Sequence, residues 1–248
     1  MSDRPDVGIR LNKYLADSGF CSRREADRLI EAGSVTIDGR VGVLGDKAMD
    51  AMDVRVKGKS VKPKRKDQKV YIALNKPVGI VCTADAREPM NVIDYLRHDE
   101  RIFPIGRLDK ESSGLLLLTS DGEIVNRVLR AVGSHDKEYI VSVDRKMAPD
   151  FLRKMAAGVA ILDTVTLPCR VEQISAYSFR IILVQGLNRQ IRRMCQALGY
   201  GVRSLKRVRI MNIHLGDLLP GQWRELTHRE LTELLGQLNG DSSSRQCP

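Results

Sequence analysis

Residues 103–122 read FPIGRLDKESSGLLLLTSDG. The first half is a loop of charged and small residues. The second half carries a run of leucines, Leu115 to Leu118, with the length and apolarity of one buried strand. A rigid strand behind a loop can hold one side chain firmly. Asp109 sits in that loop, close to Arg107 and Lys110. A lone Asp in a loop is ordinarily a turn or cap residue. Its spacing alone assigns it no chemistry.

Outward from this segment, short apolar or alternating runs predict strands at 71–74 and 78–83, around the turn Asn75-Lys76-Pro77. Others lie at 115–119, 139–143, 179–184 and 202–213. Helical spacing fits 121–131, 149–157, 188–198 and 227–238, the last opened by the capping box Thr227-His228-Arg229-Glu230. Strands and helices do not alternate regularly. The expected fold is therefore α+β, a mainly antiparallel mixed sheet flanked by helices, over residues 69–238. Residues 239–248, rich in serine, read as a disordered tail.

Residues 9–56 form a separate small unit. A short helix from Leu11 ends at Gly19. Ser22-Arg23-Arg24-Glu25 is a capping box that opens a second helix, stopped by Gly33. Val35-Thr36-Ile37-Asp38-Gly39-Arg40-Val41 follows, with Asp38-Gly39 at a hairpin turn. Three arginines on the second helix, Arg23, Arg24 and Arg28, oppose the dipole of its N-terminus. They are expected to face an anion. Residues 57–69, KGKSVKPKRKDQK, hold seven cations and one acid and read as a flexible basic linker, so 9–68 is the first domain with its tether.

The chain has 41 Lys+Arg against 31 Asp+Glu, a formal +10, which suits a polyanionic partner. The stretch 188–209 concentrates this charge: Arg189, Arg192, Arg193, Arg203, Lys206, Arg207 and Arg209, with no acid. Like charges so placed repel until a polyanion arrives. No apolar run suits a signal peptide or a membrane span, so a cytoplasmic protein without membrane contact is expected. The five cysteines form no CxxC pair and the four histidines are scattered, so no metal site is expected.

Two resemblances sharpen this reading. IRLNKYLADSGFCSRREADRLIEAGSVTIDGRV, residues 9–41, resembles the S4 RNA-binding domain. That implies RNA contacts by Arg23, Arg24 and Arg28. GRLDKESSGLLLLTSDG, residues 106–122, resembles the signature of the RsuA-type ribosomal pseudouridine synthases. LNKPVGIV at 74–81, KEYIV at 137–141 and LNRQIRRMCQALGY at 187–200 agree with it. Phe103-Pro104 and Gln185-Gly186-Leu187 look most like the RluF branch, which acts on large-subunit ribosomal RNA. Leu187 stands where many relatives have Arg, and Ser112 replaces the commoner Thr.

The resemblance implies a role for each matching residue. Asp109 falls on the catalytic aspartate. Arg192 is its partner, expected to be capable of a bidentate pair. Tyr139 stacks on the flipped uracil, and Arg107 fills the gap that the base leaves. Arg189 and Arg193 reach the RNA. Converting uridine to pseudouridine breaks the C1′–N1 bond and joins C5 to C1′, with no atoms gained and no redox change. No cofactor or metal is expected. The carboxylate can act by forming a covalent adduct or by removing a ribose proton, and both routes stay open. The expected target is a weakly paired uridine of 23S ribosomal RNA, modified by a monomer. The alternatives are small-subunit ribosomal RNA, transfer RNA, or a non-catalytic RNA-binding factor for ribosome assembly.

Overall fold

The computed structural model describes residues 8–63, 65, 69–85, 87–130 and 135–243. The chain divides into two compact units. The first runs to Val70 and takes in Asp99–Arg101 and Ser120–Gly122; the second holds the rest.

In the first unit, β1 (Ile9–Arg10) leads into α1 (Leu11–Asp17) and α2 (Arg23–Glu31). Four strands follow: β2 (Val35–Ile37), β3 (Arg40–Val41), β4 (Lys47–Ala48) and β5 (Val54–Val56), and then β6 (Lys59–Ser60). The core is Leu11, Tyr14, Leu15, Ala26, Ile30, Val35, Ile37, Val54 and Val56. Ser22 caps α2 by accepting from the Glu25 amide at 3.1 Å. The Glu25 carboxylate turns instead to Arg28, at 3.2 Å. Asp38 and Gly39 both have positive φ, 48° and 83°, as a two-residue hairpin turn of this hand requires. The basic linker starts later than expected. Lys59 and Ser60 pair with Val56 and Arg55 across the turn Lys57-Gly58, so these residues belong to the sheet. Residues 64 and 66–68 of the linker lie outside the described residues.

The second unit is an α+β domain. Its elements begin with β7 (Tyr71–Lys76), α3 (Val92–Leu96), β8 (Phe103–Ile105), β9 (Ser113–Thr119) and α4 (Gly122–Arg130). They continue with β10 (Lys137–Val143), α5 (Phe151–Ala157), β11 (Ala160–Ile161), β12 (Thr164–Val165), β13 (Arg170–Ser175) and β14 (Ser178–Leu183). The last are α6 (Gln190–Ala197), β15 (Val202–Ile210), β16 (Ile213–His214), β17 (Trp223–Glu225) and α7 (His228–Ser243). A nine-stranded sheet runs β13-β14-β10-β15-β9-β7-β17, with β16 on β15 and β8 on β9. Its one parallel pair is β9 with β15; the others are antiparallel, as expected for a mainly antiparallel mixed sheet.

Two clusters fill the domain. Phe151 and Met155 of α5 and Ile191 and Met194 of α6 pack on Val141, Phe179, Ile181 and Leu205. Ile124 and Val128 of α4 and Leu234 and Leu238 of α7 pack with Ala73, Leu115, Leu117 and Ile213. Thr227 and Glu230 close a full capping box on α7: each accepts from the other's amide, at 3.2 and 2.9 Å.

Two expectations change. The segment 78–83 is not a strand. The buried Lys76 ammonium donates to the carbonyls of Pro77 and Ile80, both at 2.8 Å, and Gly79 sits at φ 95°, which curls the chain into a loop. Residues 239–243 are not tail but the last turn of α7, where Asn239 accepts from Arg127 at 2.6 Å. Residues 244–248 lie outside the described residues.

Candidate active site

Asp109 stands on the loop between β8 and β9. The loop closes on itself through the Ser112 amide, which donates to the Asp109 carbonyl at 3.0 Å. It is fastened from behind at two more points. The Gly79 amide donates to the Lys110 carbonyl at 2.8 Å, and the Leu108 amide donates to Cys82 Sγ at 3.3 Å. Burial pushes the Cys82 thiol up, so it stays a neutral acceptor.

Across the loop lies the start of α6. Arg189 precedes the helix in a left-handed conformation, φ 50°. The Leu187 amide donates to Gln190 Oε1 at 3.0 Å, which fixes the turn before it. Arg189 and Arg192 then lie one turn apart and converge on one oxygen. Asp109 Oδ2 is 3.6 Å from Arg189 Nη1 and 3.8 Å from Arg192 Nε.

This differs from a bidentate pair. Arg192 uses its other nitrogens on the loop and on β15: Nη2 donates to the Glu111 carbonyl at 3.0 Å and to Ser112 Oγ at 3.2 Å, and Nη1 to the Val202 carbonyl at 3.5 Å. Its Nε is buried with no hydrogen-bond partner. Arg192 therefore both faces the carboxylate and shapes its loop. Ser112 supplies the hydroxyl that this requires. Arg189 is held mainly by Glu111, at 2.9 Å. That hydrogen bond holds the Glu111 carboxyl below its ordinary range. Glu111 was not singled out in the sequence; only the fold brings it to Arg189.

These groups line a cleft of about 350 Å³. Its walls include Arg107, Asp109, Ser112, Arg189 and Arg192, and its floor is the face of β10, β14 and β15 that carries Lys137, Tyr139, Leu183, Leu205 and Arg207. Tyr139 and Arg107 are thus placed with Asp109. Arg193 is not on the cleft. It donates to the Asn188 carbonyl and side chain, at 3.1 and 3.2 Å, and braces the turn before α6. Arg23, Arg24 and Arg28 belong to the other unit and are exposed on α2.

The basic stretch 188–209 is less unbalanced than its sequence suggests. Arg209 pairs with Glu138 at 2.9 Å and with Asp136 at 3.6 Å, both from the neighbouring strand region. Arg207 differs: it is only 4% exposed. Its Nε donates to the Leu115 carbonyl at 2.7 Å, and Nη1 to the Arg107 carbonyl at 3.4 Å. Burial, and Arg207 beside it, lower the pKa of Lys137, which Asp136 partly restores. Lys137 escaped the sequence reading because nothing in KEYIV shows which strand will lie beside it.

Chemically, the cleft offers one carboxylate under two guanidinium groups, an aromatic ring, and cations at the floor. That set can hold a nucleotide and act at its sugar–base junction.

The comparisons with known proteins agree. Residues 70–197 match the family model for RNA pseudouridylate synthase, and residues 9–41 match the S4 domain. The chain is 52% identical to the dual-specificity RNA pseudouridine synthase RluF of Salmonella typhi, over 96% of this chain and 82% of that protein. It is 35% identical to ribosomal large subunit pseudouridine synthase B of Bacillus subtilis (strain 168), over 91% and 95%. A crystal structure of a pseudouridylate synthase superposes with a TM-score of 0.65 at 26% identity, covering 91% of this chain and 99% of that one. With its S4 domain, its mixed sheet and the loop that carries Asp109, this chain belongs to the RNA pseudouridine synthase family.

Proposed function

We propose that this chain isomerises a uridine to pseudouridine in large-subunit ribosomal RNA, with Asp109 as the reacting carboxylate. The observation that carries the reading is the convergence of Arg189 and Arg192 on Asp109 Oδ2 inside the cleft. Two cations facing one oxygen hold the carboxylate in place and aim it. Asp109 then acts on ribose, either by bonding C1′ or by taking a proton that opens elimination. Tyr139 stacks on the flipped base, and Arg107 enters the vacated stack.

The S4 unit, residues 9–68, carries Arg23, Arg24 and Arg28 to the RNA backbone. Arg189 adds a contact at the cleft. Arg193 acts there only through the turn it braces. The choice of large-subunit RNA draws support from the B. subtilis relative, whose name specifies that subunit. The dual-specificity name of the S. typhi relative favours a second RNA, for which transfer RNA is the candidate. The same reading takes the protein to work as a monomer in the cytoplasm.

The test is chemical mapping of pseudouridine in large-subunit ribosomal RNA, small-subunit ribosomal RNA and transfer RNA, each incubated with purified protein. One new pseudouridine should appear in the large-subunit RNA. Asp109→Asn should bind the same RNA and form no product. Product from Asp109→Asn at the wild-type rate overturns the assignment of Asp109. Product only in small-subunit RNA overturns the assignment of substrate.

A further inference from the structure

The cleft floor has a feature that binding and Asp109 leave unexplained. Arg207 and Lys137 both line it, on neighbouring strands. Tyr139 pairs with Arg207 across β10 and β15, and Lys137 lies two residues along β10 from Tyr139. Cross-strand partners and alternate residues share a sheet face. The two cations therefore flank the ring on which the base is placed.

Neither cation has a carboxylate partner in a salt bridge among the described residues. Arg207 gives Nε–H to the Leu115 carbonyl, yet its Nη2 is buried with no hydrogen-bond partner. Lys137 Nζ donates to the His135 carbonyl at 3.2 Å. The two acids that flank it in sequence, Asp136 and Glu138, are both engaged by Arg209. Buried cations are ordinarily paired, because removal from water disfavours them strongly. Arg207, buried with one nitrogen unpartnered, and the half-buried Lys137 beside it make a preformed site for negative charge. The floor is placed for the base.

We propose that Arg207 and Lys137 stabilise the uracil as an anion while it is detached from the sugar. This rests on the assignment of the cleft to uridine isomerisation. When the C1′–N1 bond breaks, its electron pair stays on N1 and spreads to O2 and O4. Later C5 bonds to C1′ with the electrons of the base, C5 loses its proton, and N1 gains one. The atoms and electrons balance without any co-reactant. The charge exists only between the two bonds, so a fixed cationic field accelerates the step without tightening ground-state binding.

The test uses the leaving group. A 5-fluoro substituent withdraws electrons and makes the departing base a weaker base, which lessens its need for the cations. Full-length Arg207→Met and Lys137→Met are compared with wild type on one stem-loop RNA, carrying uridine or 5-fluorouridine at the target. The readout is the first-turnover loss of the N1-linked nucleoside, by chromatography after digestion. On uridine each variant should lose about 100-fold in rate, the scale of one removed charge-stabilising donor. RNA affinity should stay within about twofold, since the field acts after binding. On 5-fluorouridine the deficit should shrink by about tenfold, because the substituent takes over part of the stabilisation. Equal deficits on both RNAs overturn the proposal and leave a structural role. Lost affinity with a normal rate also overturns it, in favour of a phosphate contact. If Arg207→Met does not fold, as circular dichroism would show, Lys137→Met carries the same comparison. A wild-type protein that consumes neither RNA overturns the assignment of the cleft itself, and this proposal with it.

Discussion

Gly114 and Arg207 meet backbone to backbone: a Cβ on Gly114 would lie 2.7 Å from the Arg207 amide nitrogen and closer still to its carbonyl oxygen. Gly114 also has φ 100°, a conformation other residues rarely adopt. The glycine after Ser112-Ser113 is thus what lets β9 lie parallel to β15 beside the Asp109 loop.

Gly114→Ala is therefore expected to cost about 2–3 kcal/mol of stability, from backbone strain and overpacking together. Urea unfolding measures it. Activity should fall further than stability, because displacement of β15 moves the Asp109 loop. An alanine variant with a wild-type urea midpoint would show that the strands separate freely.

Arg192→Leu should reduce turnover by at least about a hundredfold, since a positioned group lost near the reacting centre commonly costs that much. It should also loosen residues 110–112, because Arg192 donates to the Glu111 carbonyl and Ser112 Oγ. Faster hydrogen exchange at those amides is the measurement. A slow enzyme with unchanged exchange would mean that Arg192 acts by charge alone.

Glu230 offers a pH test away from the cleft. Two hydrogen bonds from Arg224, both at 2.7 Å, and the Thr227 cap hold its pKa at about 2, below the ordinary 4.5. A carboxyl depressed in the fold stabilises it above the unfolded pKa and loses that contribution as pH falls through the folded value. Hydrogen bonds to charged groups are worth about 1.5–3 kcal/mol. Glu230→Gln should thus be less stable than wild type at pH 7. The gap should narrow from pH 4.5 downward and close near pH 2. A gap independent of pH would assign the effect to capping geometry.

Arg23 and Arg24 are exposed on α2 and pair with no carboxylate among the described residues. The double variant Arg23→Gln, Arg24→Gln should weaken RNA binding. It should also flatten the plot of log affinity against log salt by about 1.4, at about 0.7 per lost contact to single-stranded RNA. An unchanged slope would place these side chains away from the RNA backbone.

Local signals in the sequence carried far. The capping box of α7, the Asp38-Gly39 hairpin and the leucine run of β9 all became what their residues predict, because each depends on neighbours within a few positions. The segment 78–83 misled because its β-rich composition is overruled by Lys76, whose buried ammonium needs two carbonyls. β13 escaped detection because it is an exposed edge with no apolar alternation. In the cleft, Asp109, Tyr139, Arg107 and Arg192 are legible from the motifs alone, and the fold places all four on its lining. Glu111 and Lys137 stayed hidden, since their meaning lies in partners 78 residues away for Glu111 and across β15 for Lys137. Arg193, adjacent to Arg192 in the chain, points elsewhere because consecutive helical residues differ by about 100°.

The parallel contact between β9 and β15 has a consequence for how the protein comes into being. It is the seam between two antiparallel half-sheets, β13-β14-β10-β15 and β9-β7-β17. Arg207 bonds Leu115 across 92 positions of chain. Contacts so distant in sequence close late, since the loop entropy must be met first. During synthesis, the aspartate loop leaves the ribosome long before the strand that backs it. A nascent chain halted before residue 202 holds Asp109 but not the wall behind it. Such a chain completes the wall behind Asp109 only once β15 has been made.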